Sequence, residues 1–330
     1  MAGNQFKEDI PENIKVELEL LYKKGDFNKA LDSSKKLKKK YPWSAYIYNI
    51  SGVMNLALSK FNMAEKDFLR AIEISPKIAS IHNNLGLTLI NLKKYQEGIK
   101  TFKHAIQLKP KYMEPYNNLA IIFKKVGLLE KAIYWLELAL SIDTNFLLGY
   151  NNLALLYEQN GYPDKAIEIL KKVISLSPRY ATAINSLGVI LKKKGEKEKS
   201  ISMFQKAYEI DPFLIDAINN IGSHYRDLGL MDQAIIKFEE ALRADKKNFI
   251  ALNNLATTFM EIGKFSKSAD IIRKTISLHP NLPEAYLNLT FLKSFKRDDP
   301  ELKNMIEIYS SESVEPDDKS IICFALFKAF

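Results

Sequence analysis

Most side chains suited to chemistry are scattered thinly through this 330-residue sequence, and only asparagine returns at a fixed interval. His82, His104, His224, His279 and the single cysteine, Cys323, could ligate a metal or carry a nucleophile. None has a second histidine or cysteine at the spacing a zinc site requires. No G-x-x-x-x-G-K-[ST], G-x-G-x-x-G or G-x-S-x-G string occurs, so neither a phosphate cradle nor a nucleophile elbow is signalled. The carboxylates lack the paired, shielded setting that would shift their acidity. The expectation for these residues is therefore no catalysis, no metal and no cofactor.

The asparagines suggest different chemistry. Asn49, Asn83, Asn117, Asn151, Asn185, Asn219 and Asn253 follow one another at intervals of 34 residues. A second series, Asn84, Asn118, Asn152, Asn220, Asn254 and Asn288, stands one residue later and is interrupted by Ser186. An amide offers two donor hydrogens and an acceptor oxygen, so a column of amides can pair with the peptide groups of a guest whatever its side chains.

The elements that would hold such a column follow from the period, since self-similarity at 20 to 50 residues marks stacked repeats. With Gly52, Gly86, Ala120, Ala154, Gly188, Gly222 and Ala256 numbered as position 8, the two asparagine series are positions 5 and 6. Positions 4, 7, 8 and 11 form one apolar stripe on a first helix, and positions 20, 24 and 27 the facing stripe on a second. Glycine at position 15 (residues 25, 127, 161, 195, 229 and 263) suits the turn between them, with Lys93 as an exception. Proline at position 32 (residues 42, 76, 110, 178, 212 and 280) is expected in the first turn of the next helix, with Ser75, Ser177 and Asp211 as N-caps. His82 falls at position 4, where other units carry Tyr116, Tyr150 and Tyr286, and so reads as a core residue.

A helix advances about 100° per residue, which places positions 2, 6, 9 and 13 roughly 150° or more from the buried stripe. This face is the predicted groove. It carries the position-6 amides beside Leu87, Ile121 and Leu155 at position 9 and Lys125 and Lys193 at position 13. Farther on it carries Asp216, Asp227, Glu261 and Glu284, which predicts a groove that turns from apolar and basic to acidic. The position-5 asparagines lie on the flank and are expected to bond between repeats.

These positions resemble the tetratricopeptide repeat, whose pattern places small residues at 8, 20 and 27, an aromatic at 24 and proline at 32. The resemblance covers about residues 11 to 296. It implies an all-α, right-handed superhelical solenoid of antiparallel helix pairs that binds protein on its concave face. The expected organisation is a flexible stretch at 1–10, a degenerate capping repeat at 11–44, a solenoid of about seven to eight repeats at 45–296 and an irregular segment at 297–330. The position-6 column is similar to the asparagine ladder in the repeat arm of O-linked N-acetylglucosamine transferases, which holds a substrate peptide by its backbone. It predicts an extended polypeptide as the partner.

The formal charge of +9 would suit phosphates, yet only six of 48 basic residues are arginine, the side chain fitted to bidentate phosphate and base contacts. Neither nucleic acid nor membrane is expected as a partner, and cytoplasm is the expected compartment. The end, Lys319 to Phe330 (KSIICFALFKAF), reads as an apolar first helix with no partner behind it. This predicts that the chain continues past Phe330 or swaps its final helix into a second copy. The tail from Phe291 also resembles the junction in bacterial proteins where such repeats precede a sulfotransferase domain. The alternative function is therefore the recognition arm of a larger transferase, of sulfotransferase or glycosyltransferase type.

Overall fold

A computed structural model describes residues 10–296, 298–311, 314 and 316–329, so the stretch expected to be flexible at the N-terminus falls almost wholly outside the described residues. Among the described residues there are 19 α-helices and no strand. The chain divides into two compact units, Met1–Ile169 and Leu170–Phe330, with the boundary inside one helix, α10 (Pro163–Leu176).

The first unit stacks the hairpins α1 (Glu12–Lys23) with α2 (Phe27–Lys40), α3 (Ala45–Ala57) with α4 (Phe61–Ile74), α5 (Ala79–Asn91) with α6 (Tyr95–Leu108), and α7 (Met113–Lys125) with α8 (Leu129–Ile142), followed by α9 (Leu147–Gln159). The second continues with α11 (Ala181–Lys193) and α12 (Lys197–Ile210), α13 (Ile215–Asp227) and α14 (Met231–Ala244), and α15 (Phe249–Glu261) and α16 (Phe265–Leu278). It ends with the shorter α17 (Pro283–Thr290), then α18 (Pro300–Ser310) and α19 (Pro316–Ala329).

The hairpin turn explains the glycines. Gly127 has φ +76°, and the amide after it reaches back five residues, Leu128 N–H to Phe123 O at 2.8 Å. Such a closure needs the left-handed backbone that glycine adopts without strain. Ser59 and Lys93 hold the same place with φ of +57° and +62°, so the register of the stack overrides the preference of two ordinary residues.

Packing between the two helices of a hairpin turns on positions 8 and 24. A Cβ on Gly52, Gly86, Gly188 or Gly222 would meet the ring of Phe68, Phe102, Phe204 or Phe238 at 2.6 to 2.7 Å, far inside contact distance. Where position 8 is alanine, position 24 is aliphatic, as in Ala120 with Leu136 and Ala256 with Ile272. Volume moves from one helix to the other while the close approach is kept.

Two expectations are corrected. Ser75, Ser177 and Asp211 do not cap the following helices. They close the preceding ones, as in Ser75 N–H to Ala71 O at 2.9 Å, and Asp211 turns its carboxylate onto Phe213 N–H at 3.0 Å. The prolines after them lie in the connecting turn, and the next helix begins three residues later. The second correction concerns the tail. Residues 300–310 and 316–329 are helical, and α19 is not bare on its inner side. Ile322 and Ala325 are buried with Tyr286, Leu302, Met305 and Ile308 in one cluster. Phe324 and Phe327 remain exposed on its other side.

Candidate functional site

The first helices of successive repeats lie side by side within each unit, and the two asparagine series join them. In the first unit Asn84 Nδ2 donates to Asn49 Oδ1 at 3.1 Å, Asn118 to Asn83 at 2.8 Å and Asn152 to Asn117 at 2.6 Å. In the second, Asn220 donates to Asn185 at 2.9 Å and Asn288 to Asn253 at 2.5 Å. Each rung therefore spans 35 residues. The position-5 acceptors are mostly buried, whereas the position-6 donors are half-buried. The expectation for position 5 holds, and that for position 6 is narrowed. One N–H of each of these five groove amides is already committed to its neighbour, leaving the other N–H and the oxygen outside the rung.

Asn254 departs from the pattern. Its oxygen accepts from Arg226 Nη1 at 3.5 Å, while Asn219, its counterpart by register, donates to Asn248 at 3.2 Å. Asn219 Oδ1 is consequently buried without a partner. Asn151 Oδ1 is in the same condition, and the residue 35 positions beyond it in the sequence is Ser186, which has no amide.

Between α7 and α9 the surface opens into a cleft of about 120 Å³. Ile121 and Leu155 form its walls and Leu136 lines it from α8, with Asn117 and Asn152 contributing the rung and Lys124 the basic edge. Three predicted groove residues, Ile121, Leu155 and Asn152, are thus brought together. Leu87 lies half-buried on α5, one repeat before the cleft. Lys125 and Lys193 are exposed but not in the cleft, and the Lys125 ammonium lies 5.8 Å from the Tyr95 ring centre. The cation at the cleft is at position 12, not 13. Asn117, Ile121 and Lys124 stand at i, i+4 and i+7, the spacing of one helix face, and that spacing was the signal available in the sequence.

Position 12 also governs the electrostatics. Lys192 Nζ lies 2.8 Å from Asp227 and 3.2 Å from Ser223 Oγ, and Arg226 Nε lies 3.9 Å from Glu261. A position-12 cation thus reaches the position-13 carboxylate of the next repeat. This amends the expected acidic stretch, since Asp227 and Glu261 are neutralised from within, while Asp216 and Glu284 stay exposed. Lys124 is exposed and forms no ion pair among the described residues. Its register counterpart is Gln159, which bears no charge.

His82 belongs to the packing of its hairpin. His82 is buried, with Nε2 2.7 Å from Pro76 O and its ring edge-on to His104 at 4.6 Å. Burial, reinforced by His104, pushes its pKa below the ordinary imidazole value, against the opposing pull of the Pro76 carbonyl. Tyr116 and Tyr286 at the same position donate to Pro110 O at 3.0 Å and Pro280 O at 2.8 Å. Position 4 therefore satisfies a proline carbonyl of the preceding turn, a role the sequence reading did not assign. Among the described residues no group of three or more His, Cys, Asp or Glu side chains could hold a metal ion. No helix among them is long and apolar enough to cross a membrane.

Two family profiles, both described as Tetratricopeptide repeat, match residues 79–112, 114–146, 149–180 and 181–213, and residues 219–283, together more than half of the chain. No curated protein matches the chain. Among solved structures, a chain of the APC/C hetero-tetramer Cut9-Hcn1 is similar, with a TM-score of 0.55 and 19% identity over 84% of this chain. This chain spans 54% of that one. A tetratricopeptide repeat protein from Parabacteroides merdae ATCC 43184 aligns with a TM-score of 0.59 and 16% identity, covering 79% of this chain and 99% of that one. At such identities the likeness concerns the fold alone.

Proposed function

Because the chain belongs to the tetratricopeptide repeat family, we propose that it is a protein-binding scaffold whose rung-bearing face takes an extended polypeptide. The observation that carries this reading is the half-buried position-6 amide, repeated in register. Asn84, Asn118 and Asn152 present it in the first unit, and Asn220, Asn254 and Asn288 in the second. With one N–H held by the neighbouring repeat, the amide of a paired rung is fixed in orientation before a guest arrives. Its oxygen and second N–H then meet peptide groups at little further entropic cost. Guest side chains need not be specified for this pairing.

The rung supplies its own control. Asn118→Ala with Asn152→Ala removes the groove amides, whereas Asn83→Ala with Asn117→Ala breaks the same two rungs from the buried side and leaves the groove amides in place. Peptides selected from a random display library on the wild-type protein would be titrated against both pairs by fluorescence anisotropy. The expected result is a larger loss of affinity for the position-6 pair than for the position-5 pair. Equal losses would reduce the column to a structural tie and overturn the peptide-binding reading.

A further inference from the structure

We propose that the cleft between α7 and α9 is the specificity pocket of this scaffold, and that it selects an aliphatic side chain adjoining a carboxylate in the bound polypeptide. The inference rests on the peptide-binding reading above and adds the chemistry of the guest. Size supports the aliphatic half. A cleft of about 120 Å³ has room for a leucine, isoleucine or valine side chain. Its walls agree, since Ile121 is half exposed to solvent at 50% and Leu155 faces it from the next repeat, an apolar pair that a guest side chain would cover.

Charge supports the acidic half. Three cations occupy position 12: Lys124, Lys192 and Arg226. The latter two each meet a carboxylate of the following repeat, Asp227 or Glu261. Lys124 has neutral Gln159 in the corresponding place and stands at the edge of the cleft without a counter-ion among the described residues. The chain thus leaves one cation of the series for an external carboxylate, beside an apolar wall pair that opens into a cleft. A side chain seated between Ile121 and Leu155 places its neighbour in the guest within reach of that ammonium. Asn152 at the same opening is free to bond the intervening peptide group through its oxygen.

The test uses synthetic, end-blocked peptides of mixed serine and glycine carrying one adjacent pair: Leu-Glu, Leu-Gln, Leu-Lys or Ala-Glu. Each is titrated against the full chain by fluorescence anisotropy. On the wild-type protein Leu-Glu should bind most tightly, by roughly tenfold over Ala-Glu for the lost aliphatic contact. It should exceed Leu-Lys by roughly three- to fivefold for a solvent-exposed charge pair. Lys124→Glu should invert the order of Leu-Glu and Leu-Lys, and Ile121→Ala should erase the advantage of leucine over alanine. Both positions are exposed, and unchanged circular dichroism confirms that the variants fold. Equal binding of all four peptides, no binding by any of them, or indifference of the order to Lys124→Glu would overturn the pocket. The position-6 substitutions decide separately on the groove, because display-selected peptides that depend on Asn118 and Asn152 but ignore Lys124 would keep the scaffold reading and remove this one.

Discussion

The stretch from α7 to α9 and the stretch from α11 to α15 use one register to opposite ends. In the first, position 9 is aliphatic (Ile121, Leu155) and the position-12 cation, Lys124, forms no ion pair among the described residues. In the second, position 9 passes from Val189 to Ser223 and Thr257, and Lys192 and Arg226 are engaged by Asp227 and Glu261. Exposed ion pairs of this kind add little to stability, with a median near 0–1 kcal/mol. Their larger effect is to occupy a charge that would otherwise attract a guest. Surface residues at equivalent places in a repeat therefore cannot be read one at a time, because what a cation offers depends on the residue one repeat further on.

The contrast can be broken from the core outward. The α7–α8 hairpin pairs Ala120 with Leu136, whereas α13–α14 pairs Gly222 with Phe238 at a distance that leaves no room for a methyl group. Gly222→Ala should destabilise the second unit by roughly 1–3 kcal/mol through overpacking. Adding Phe238→Leu should restore most of it, since the double variant recreates the alanine–leucine pair. Thermal melting of the singles and the double gives the coupling, and additive effects would mean that the two positions are not compensating partners.

Next in size is the loan of an internal partner to the open cation. Gln159→Glu places a carboxylate at position 13 opposite Lys124, as Asp227 stands to Lys192. It should lower affinity for the Leu-Glu peptide roughly threefold while leaving Leu-Gln unchanged, a difference read by the same titration. A loss shared by both peptides would show that the cleft was distorted and not discharged.

The smallest effect lies outside the groove and serves as its control. Burial lowers the His82 pKa in the folded chain, so the unfolded chain binds more protons on acidification. Stability should fall as pH drops below about 6.5, the unperturbed imidazole value, toward the lower folded value. His82→Tyr keeps the bond to the Pro76 carbonyl, as Tyr116 does with Pro110, and should flatten that part of the pH–melting curve without altering peptide binding. An unchanged slope would assign the acid sensitivity to other groups, His224 among them, whose pKa burial also lowers.

Much of this was legible in the sequence because the repeat constrains it many times over. The 34-residue period, the turn at position 15 and the burial of positions 8, 24 and 27 each recur in units that share one register. Serine or aspartate before proline imitates an N-cap in the sequence, whereas the side chains of Ser44 and Asn248 cap helices in the structure. The sequence directs attention to Lys125 at position 13, whereas the cation lining the cleft is Lys124, because directions computed on one helix do not include the neighbouring helix that forms the second wall. The burial of α19 was missed for another reason. Its partner α18 lies where the period has lapsed, so no register related Ile322 and Ala325 to Leu302 and Met305.

The amide rung also bears on how the length of such a chain can change. It joins residues 35 apart in a sequence that repeats every 34, so in each paired rung the donor of one unit addresses the acceptor of the unit before it. Excising or duplicating one whole unit in register, such as residues 79–112, brings an asparagine of identical placement to each new junction. The array can thus be shortened or extended in whole units with its rungs conserved, whereas an edit that is not a multiple of 34 residues would put the amides on different helix faces.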